Sequence, residues 1–241
     1  MTGRKSSPGS RNIVVVGETF AASRTPQRVA AMRRLGHTVR TVPTMPPGVD
    51  YETAPSLATR LRYRLRVPAD PAGANAAILS AAVGADILWL ETARMIRPSA
   101  LRRLKVLNPD TAIVCYSEDD MMNPRNRTVW LQRSMPLIDL WATTKSLNMR
   151  PEERDALKLR KMLFVNNSYD TDIHRPVEVG PADIQTFGAP VSFIGTYEAP
   201  RARSVIHLAS SGVPVRVWGN GWEKLRGRHE NLKIEGRPAY N

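Results

Sequence analysis

The chain has 241 residues, 42% of them hydrophobic and 24% charged, so it can bury a substantial core and is not disordered as a whole. Its 35 lysines and arginines exceed its 22 aspartates and glutamates, which gives a net charge of +13 and favours a phosphate-bearing or acidic partner. No apolar run approaches the roughly 18 residues of a membrane-spanning helix, which excludes a transmembrane segment and leaves a peripheral membrane contact as the alternative.

The single cysteine, Cys115, lies in an apolar run and cannot form an internal disulfide. No spacing of cysteine and histidine resembles a zinc site. Residues 1–11 are polar and basic and lack the apolar core of a secretory signal, so we expect a disordered basic tail. These features fit a reducing compartment and predict a cytoplasmic protein.

The first apolar segment, Asn12–Gly17, is rich in β-branched residues, ends in glycine and predicts a strand. Residues 26–35 carry apolar side chains at helical spacing, and Gly36 is suited to end that helix. Residues 37–42 then predict a second strand. A strand, a loop, a helix and a strand in this order form a βαβ unit, which favours a parallel sheet in an α/β fold.

The same alternation continues to residue 172. Helices are predicted at 51–67, 75–83 and 98–107, and strands at 86–90, 111–116, 140–143 and 162–165. Residues 12–172 are therefore predicted to form a complete Rossmann-like domain.

The segment 51–67 is the most basic of these elements. From Leu57 onward, leucines recur at i, i+4 and i+8, while arginines occupy every second position from Arg60 to Arg66. Strict alternation also suits a strand, but four arginines on one sheet face would repel each other, which favours a helix. A solvated helix face is one interpretation, and contact with an anionic lipid or polymer is the other. The sequence shows no nucleic-acid-binding motif, which disfavours nucleic acid as the partner.

Residues 173–190 are rich in proline, glycine and acidic side chains with little periodicity, so they predict an interdomain linker. A second βαβ pattern follows, with strands at 191–195, 213–219 and 231–234 and a helix at 201–211. Because a complete Rossmann-like domain needs more residues than this, 191–241 are expected to form a partial, truncated second domain.

Polar residues follow two strands of the first domain. Gly17 ends the first strand, where a close backbone turn could approach a ligand or could be only a tight connection; a lone glycine does not support a dinucleotide cofactor. Glu118, Asp119 and Asp120 follow a buried strand at its carboxyl end. Like charges this close should raise at least one pKa, which suits a general base. The triplet could also bind a metal, accept hydrogen bonds from sugar hydroxyls, or form a solvated acidic turn.

Glycines also end two strands of the second domain. Gly195 and Thr196 precede a helix with Arg201 and Arg203 near its beginning, and these arginines would be unfavourable there unless an anion bound. This pattern predicts a diphosphate site, with a solvated basic turn as the alternative. Further on, two glycines bracket Asn220 in a turn that could shape a ligand floor or pack the neighbouring tryptophans; they are Gly219 and Gly221.

Taken in order, several segments resemble the CgeB-like, spore-maturation-type bacterial glycosyltransferases of GT-B fold. The matching segments are residues 28–32 and 35–37, 86–89, 96–98 with 101–105, 116–121, 143–146, 191–196 with Arg201, and 217–222. The resemblance spans about residues 12–241 and rests on the order and spacing of these segments together.

The resemblance implies two Rossmann-like domains, with a nucleotide-diphospho-sugar donor mainly on the second and an acceptor of unknown class (polysaccharide, protein or small molecule) mainly on the first. Such enzymes usually need no bound metal, and no cofactor is implied. Mapped onto this chain, the phosphates would be held by Gly195, Thr196, Arg201 and Arg203, with Gly219 and Gly221 shaping the donor floor. Gly17 would approach the donor, and Asp119 or Asp120 would face the acceptor as the catalytic carboxylate.

The family continues past the equivalent of Tyr240 with further strands and helices, so the resemblance implies a member truncated at its C-terminus whose activity is in question. The function expected from the sequence is glycosyl transfer from a nucleotide-sugar. The alternative is a non-catalytic module that binds a nucleotide or an anionic polymer through its +13 surface.

Overall fold

The computed structural model describes residues 9–20, 23–50, 53–121 and 123–236. The chain divides into two compact units, one up to Ile173 and the other from His174 onward. Most of the predicted tail, and Tyr51 and Glu52 of the predicted helix 51–67, lie outside the described residues.

In the described part of the first unit, six parallel strands form one sheet in the order β2-β1-β3-β4-β5-β6. The strands are β1 Asn12–Gly17, β2 Thr38–Pro43, β3 Ile87–Glu91, β4 Ala112–Ser117, β5 Leu140–Thr143 and β6 Met162–Phe164. The helices are α1 Arg24–Arg34, α2 Leu57–Arg64, α3 Ala74–Ala81, α4 Pro98–Leu107, α5 Val129–Ser134 and α6 Pro151–Leu157. The chain therefore alternates strands and helices, as a doubly wound α/β fold requires.

Strand β1, an inner strand of the sheet, shows why residues 12–17 form one continuous apolar run. Val14 and Val16 belong to the core cluster on one face of the sheet, whereas Ile13 and Val15 belong to the cluster on the other face. Both faces of a parallel sheet are covered, so successive side chains are buried although they point in opposite directions. β1 pairs with β2 on one side and with β3 on the other.

Up to residue 236, the second unit contains three parallel strands in the order β7-β8-β9, which are Val191–Ile194, Val215–Trp218 and Leu232–Gly236. Helices α7 Pro181–Phe187 and α8 Ala199–Ser210 belong to the same unit. A separate core lies here, formed by Ala202, Val205 and Ala209 of α8 against the strands and Trp222. The sheets of both units show the α/β, Rossmann-like pattern expected from the sequence.

Two expectations need correction, and two helices of the first unit were not expected. The segment expected to be a linker contains α7, and Arg216 of β8 donates hydrogen bonds to the carbonyls of Thr186 and Gly188, which joins this segment to the second unit. The helix expected over 51–67 begins only at Leu57, after a Ser56 cap. Helices α5 and α6 were not predicted, because each is shorter than two turns and shows no periodicity. None of the helices in the described ranges has both the length and the apolar character needed to cross a bilayer.

Candidate active site

A pocket of about 450 Å³ lies at the carboxyl ends of β1, β3 and β4 in the first unit. The chain leaves β1 toward β2 on one side and leaves β3 toward β4 on the other, so the crevice lies where the strand order reverses, the usual ligand position in open α/β sheets. Its wall is formed by Glu18, Arg24, Thr25, Arg28, Thr44, Tyr63, Glu91, Thr92, Ala93, Arg94, Met95, Tyr116 and Glu118.

One guanidinium group joins two carboxylates in this pocket. Arg28, on α1, donates to Glu91 at 2.5 Å and to Glu118 at 3.3 Å. The side chains of Arg28 and Glu91 are only 18% and 12% exposed, while Arg24, at the start of α1, pairs with the other oxygen of Glu118 from a more exposed position. Charge-assisted bonds of this kind fix the positions of both carboxylates at the sheet edge.

The buried carboxyl of Glu91 has a raised pKa. Burial is the main cause, because desolvation disfavours the charged form, and the negative charge of Glu118 adds to it. The positive charge of Arg28 and a 2.6 Å hydrogen bond from Trp89 Nε1 act in the opposite direction without cancelling the rise. Sequence reasoning looked for a raised pKa within the acidic triplet and did not single out Glu91, whose shift comes mainly from burial. Such a group is suited to accept and release a proton.

Tyr116 forms an aromatic wall beside these charges. The guanidinium carbon of Arg28 lies 4.0 Å from the centre of its ring, and the Trp89 ring stacks on it at 5.8 Å between centroids. The Tyr116 hydroxyl donates to Glu118 at 3.3 Å, and burial raises the pKa of Tyr116. The ring thus restricts Arg28 to one orientation through a cation–π contact.

The turn after β3 has a strained backbone. Thr92 has a φ of +43°, an uncommon value for a β-branched residue, and its N–H and hydroxyl both donate to the carbonyl of Tyr116, at 3.0 and 2.9 Å. Two residues later, Arg94 enters the pocket wall and pairs with Asp119. The Arg94 carbonyl accepts a 2.6 Å hydrogen bond from the Thr128 hydroxyl. Strain held in place by such contacts is typical of functional turns.

Gly17, which the sequence suggested as a ligand-binding residue, lies at the end of β1, beside this pocket. A side-chain carbon at this position would lie 2.5 Å from Thr25 Oγ1 and 3.0 Å from Glu91 Cβ. The glycine therefore lets β1 pack closely against the beginning of α1 and the end of β3, which allows Glu91 to reach its position.

The predicted acidic triplet does not act as one group. Glu118 lies in the pocket wall, Asp119 pairs with Arg94, and the carbonyl of Asp120 accepts a 2.9 Å hydrogen bond from Asn126. Asn148 also donates to the carbonyl of Asp119, at 2.9 Å. Consecutive residues after a strand point in different directions, so the pocket wall includes Glu118 and not the two aspartates.

In the second unit, Gly195 and Gly219 meet at the carboxyl ends of β7 and β8. A side-chain carbon on Gly219 would lie 2.0 Å from the carbonyl oxygen of Gly195, a distance that no other residue could accommodate. Trp222, fully buried, donates from Nε1 to the same Gly195 oxygen at 2.8 Å. Gly221 has a φ of +84°, and a carbon added there would lie 3.1 Å from Tyr197 Cβ. The glycines thus pack a tight corner at the sheet edge.

The structure separates the two predicted arginines of α8. Arg201 donates to the carbonyl of Thr196 at 3.2 Å and pairs with Glu198 at 3.3 Å, so it lies over the glycine corner. Arg203 is exposed, and residues two apart on a helix point about 200° apart, so it does not join Arg201. A cation that was not predicted, Lys224, lies 3.3 Å from the ring centre of Tyr197.

Sequence reasoning missed four charged residues of the first unit's pocket. Arg28 lies on the first predicted helix, and Arg24 lies two residues before the predicted start of that helix. Glu91 follows a predicted strand by one residue, and Arg94 follows the strained turn. A polar residue directly after a buried strand was the available signal for Glu91. Among the residues that the structure describes, no three acidic, histidine or cysteine side chains converge in a way that could hold a metal ion.

No family model matches this sequence, and no curated protein matches it by sequence. Solved structures do match its fold. An alpha-glucosyltransferase in complex with UDP and a 13-mer DNA has a TM-score of 0.56 at 11% identity, covering 97% of this chain and 68% of that one. The same kind of enzyme in complex with UDP-glucose and DNA has a TM-score of 0.51 at 13% identity, covering 96% of this chain and 68% of that one.

A third similar structure comes from Listeria monocytogenes and is described as a UDP-N-acetylglucosamine 2-epimerase. Its TM-score is 0.51 at 11% identity, covering 96% of this chain and 70% of that chain. The chain has an α/β fold of the GT-B type. This agrees with the parallel sheets of the two units and confirms the fold class expected from the sequence.

Proposed function

We propose that this chain is a glycosyltransferase that takes a sugar from a nucleotide-diphospho-sugar. The observation that carries the proposal is the fold similarity, over 97% of the chain, to an alpha-glucosyltransferase in complex with UDP. Because one fold serves many functions, the proposal also needs groups of the right chemistry at the carboxyl edges of the sheets. Each unit supplies such groups.

In the proposal, the donor diphosphate binds at the glycine corner of the second unit. The first turn of α8 has backbone N–H groups with no partner inside the helix, although Pro200 supplies none, and Arg201 adds a guanidinium beside them. Gly195, Thr196, Gly219 and Gly221 bring backbone rather than bulky side chains to this edge. Helix N–H groups and a guanidinium stabilise the charge on the leaving diphosphate, so no bound metal is required.

In the first unit, the proposed pocket holds the acceptor. During transfer, an acceptor oxygen forms a bond to the anomeric carbon of the sugar while the bond from that carbon to the diphosphate breaks. The acceptor hydroxyl must lose its proton, and a carboxylate can take it. Glu91 is suited to this role because its pKa is raised and it lines the pocket; Asp119 and Asp120, at the same edge, are the alternatives proposed from the sequence.

The donor site is tested by calorimetry with UDP on Arg201→Ala, using Arg203→Ala as the matched control. Both variants remove one arginine from α8, but only Arg201 contacts the loop after β7. One charge-assisted hydrogen bond is worth about 1.5–3 kcal/mol, so Arg201→Ala should weaken binding by about tenfold or more, and Arg203→Ala by less than about twofold. Equal affinities in the two variants would contradict the donor site.

The activity is tested by measuring release of the free nucleoside diphosphate from a panel of UDP-, GDP- and ADP-sugars. Turnover that falls in Glu91→Gln or Asp119→Asn while UDP affinity stays unchanged would support separate donor and acceptor roles. Binding of UDP without turnover of any donor, over a panel of acceptors, would instead indicate a nucleotide-binding module. An absence of nucleotide binding would refute the proposal.

A further inference from the structure

Helix α2 exposes an apolar face that the fold does not cover. None of its residues from Leu57 to Arg64 is buried. Leu57 is 82% exposed, Leu61 57%, and Leu65, which caps the helix, 59%. Singly exposed leucines are ordinary on protein surfaces, but three leucines on one short helix form a contiguous apolar stripe.

The leucine stripe faces away from the first unit. At about 100° per residue, these leucines occupy an arc of about 80°, and Thr59 and Tyr63 lie on the opposite side of the helix. Thr59 is partly buried, and Tyr63, although 52% exposed, belongs to the pocket wall, so this second side is the one directed at the protein body. The leucine stripe therefore lies on the solvent side of α2 and is not part of the core.

A side-chain cap begins α2, and hydrogen bonds after its last turn anchor it to the first unit without burying it. The Ser56 side chain caps its beginning by accepting from the Thr59 N–H. After its last turn, Arg66 donates to the carbonyl of Arg127 at 2.7 Å and to Gln132 at 3.0 Å, and its own carbonyl accepts from the Val129 N–H at 2.8 Å. The stripe is thus displayed on an anchored helix rather than on a loose loop.

Positive charge flanks the leucines on both sides. Arg60, Arg62 and Arg64 are all exposed, and the helix contains no acidic residue. On the helical wheel, Arg62 lies beyond Leu65, while Arg64 and Arg60 lie beyond Leu57 on the other edge of the stripe. Long basic side chains beside an apolar stripe are typical of helices that lie in the interface of a bilayer.

We propose that α2 docks on the surface of an anionic lipid bilayer, with the leucine stripe entering the headgroup boundary and the arginines contacting lipid phosphates. Charge complementarity selects this partner, because an anionic surface matches the flanking arginines and the chain's net charge of +13. Nucleic acid would satisfy the arginines but would leave three leucines in water, so it explains only half of the observation. The proposal does not rest on the proposed function.

The test is co-sedimentation of the full chain with vesicles of equal parts phosphatidylglycerol and phosphatidylcholine, compared with pure phosphatidylcholine. Binding should be at least about tenfold stronger on the anionic vesicles and should fall when salt is raised toward about 0.5 M. Arg62→Gln/Arg64→Gln should weaken it by about twenty-five-fold, since each basic residue near such a surface contributes about fivefold. Leu57→Gln/Leu61→Gln should weaken it by at least about tenfold, because the apolar contact is lost.

Matched controls remove the same groups from other surfaces of the first unit. Arg102→Gln/Arg103→Gln deletes two exposed arginines of α4, and Val83→Gln/Val106→Gln deletes two exposed apolar side chains; both should bind vesicles within about threefold of the parent chain. Equal losses in the controls would overturn the proposal, as would an absence of vesicle binding. Tighter binding to duplex DNA than to vesicles, insensitive to the leucines, would indicate a nucleic-acid surface instead. Leucine-dependent self-association without vesicle binding would indicate a contact between copies of this chain.

Discussion

Glu91 combines a largely buried position with a carboxyl that, among the described residues, pairs with one cation, Arg28. Its neighbours are Arg28, which pairs with it, Trp89, which donates to it, and Glu118, which repels it. Burial raises the pKa of Glu91 above 4.5, so the folded chain holds this proton to a higher pH than the unfolded chain does. At a pH just above 4.5, the carboxyl of Glu91 therefore stays protonated more often in the folded chain than in the unfolded chain.

The linkage between this proton and folding gives a pH-dependent prediction. Between pH 4.5 and the raised pKa of Glu91, the folded chain binds more protons than the unfolded chain, so stability falls as pH rises through this window. Glu91→Gln keeps an acceptor for Trp89 and Arg28 but has no proton to lose. We expect the free energy of unfolding of Glu91→Gln, relative to the parent chain, to increase from pH 4.5 upward. Urea denaturation followed by circular dichroism at a series of pH values measures it.

The control for this experiment is Glu178→Gln, which removes an exposed carboxylate from the other unit. Its difference from the parent chain should stay constant within about 0.5 kcal/mol over the same pH range, as for surface substitutions in general. A flat difference for Glu91→Gln as well would mean that the carboxyl of Glu91 titrates alike in the folded and unfolded chains.

At the scale of elements, α5 shows how a short helix supports the pocket. Its cap residue, Thr128, accepts from the Leu131 N–H at 3.1 Å and donates to the carbonyl of Arg94 at 2.6 Å. One buried hydroxyl therefore caps the beginning of a helix and fixes the turn from which Arg94 reaches Asp119. The helix contributes to the site without lining it.

Removing the Thr128 hydroxyl should lower the stability of the folded chain, because it removes a helix cap and the hydrogen bond to the Arg94 carbonyl. We expect Thr128→Ala to lower the free energy of unfolding by about 1–2 kcal/mol, the usual cost of losing a cap. Thr128→Ser, which keeps the hydroxyl, should recover most of the loss. Chemical denaturation of the three proteins measures this, and an equal loss in the serine variant would show that the methyl group of Thr128, not its hydrogen bonds, is responsible.

The elements that the sequence predicts well are those whose signal is local and repeated. The helix at 98–107 and the strand at 140–143 have the predicted bounds, because apolar spacing and burial coincide there. Helices α5, α6 and α7 have six or seven residues, too few for a periodic pattern, and are marked only by a threonine cap or by proline in the first turn.

In the candidate sites, too, the features that the sequence predicts are those with a local signal. Glycines at strand ends were visible in the sequence because a glycine that closes an apolar run is a local pattern, although the contacts that require Gly17 and Gly219 come from distant residues. The ion pair of Arg28 and Glu91 joins residues 63 positions apart, so no local pattern could show it. Which of Glu118, Asp119 and Asp120 enters the pocket depends on partners from α1 and from the turn after β3, and these become adjacent only through the sheet order.

At the scale of the whole molecule, the described residues form separate cores that share no member. Those of the first unit cover the two faces of its sheet, with Leu101 of α4 fully buried in the larger one. The core of the second unit gathers around Trp222, which is also fully buried and packs against Phe193 and Tyr197 at 5.5 and 5.2 Å between ring centres. Separate cores favour separate cooperative units, since cooperativity arises from shared burial.

Two large-to-small substitutions should therefore act on one unit each. Trp222→Ala should cost about 3–5 kcal/mol and Leu101→Ala about 2–5 kcal/mol, because each leaves a cavity in a packed core. By hydrogen–deuterium exchange, Trp222→Ala should reduce amide protection in β7, β8 and β9 while β1–β6 keep theirs, and Leu101→Ala should show the reverse. Because the second unit has the smaller core, Trp222→Ala removes a larger share of its stability. The amides of its strands should therefore exchange at nearly the rate of an unfolded chain. Equal loss of protection in both sheets from either substitution would show instead that the chain unfolds as one cooperative body.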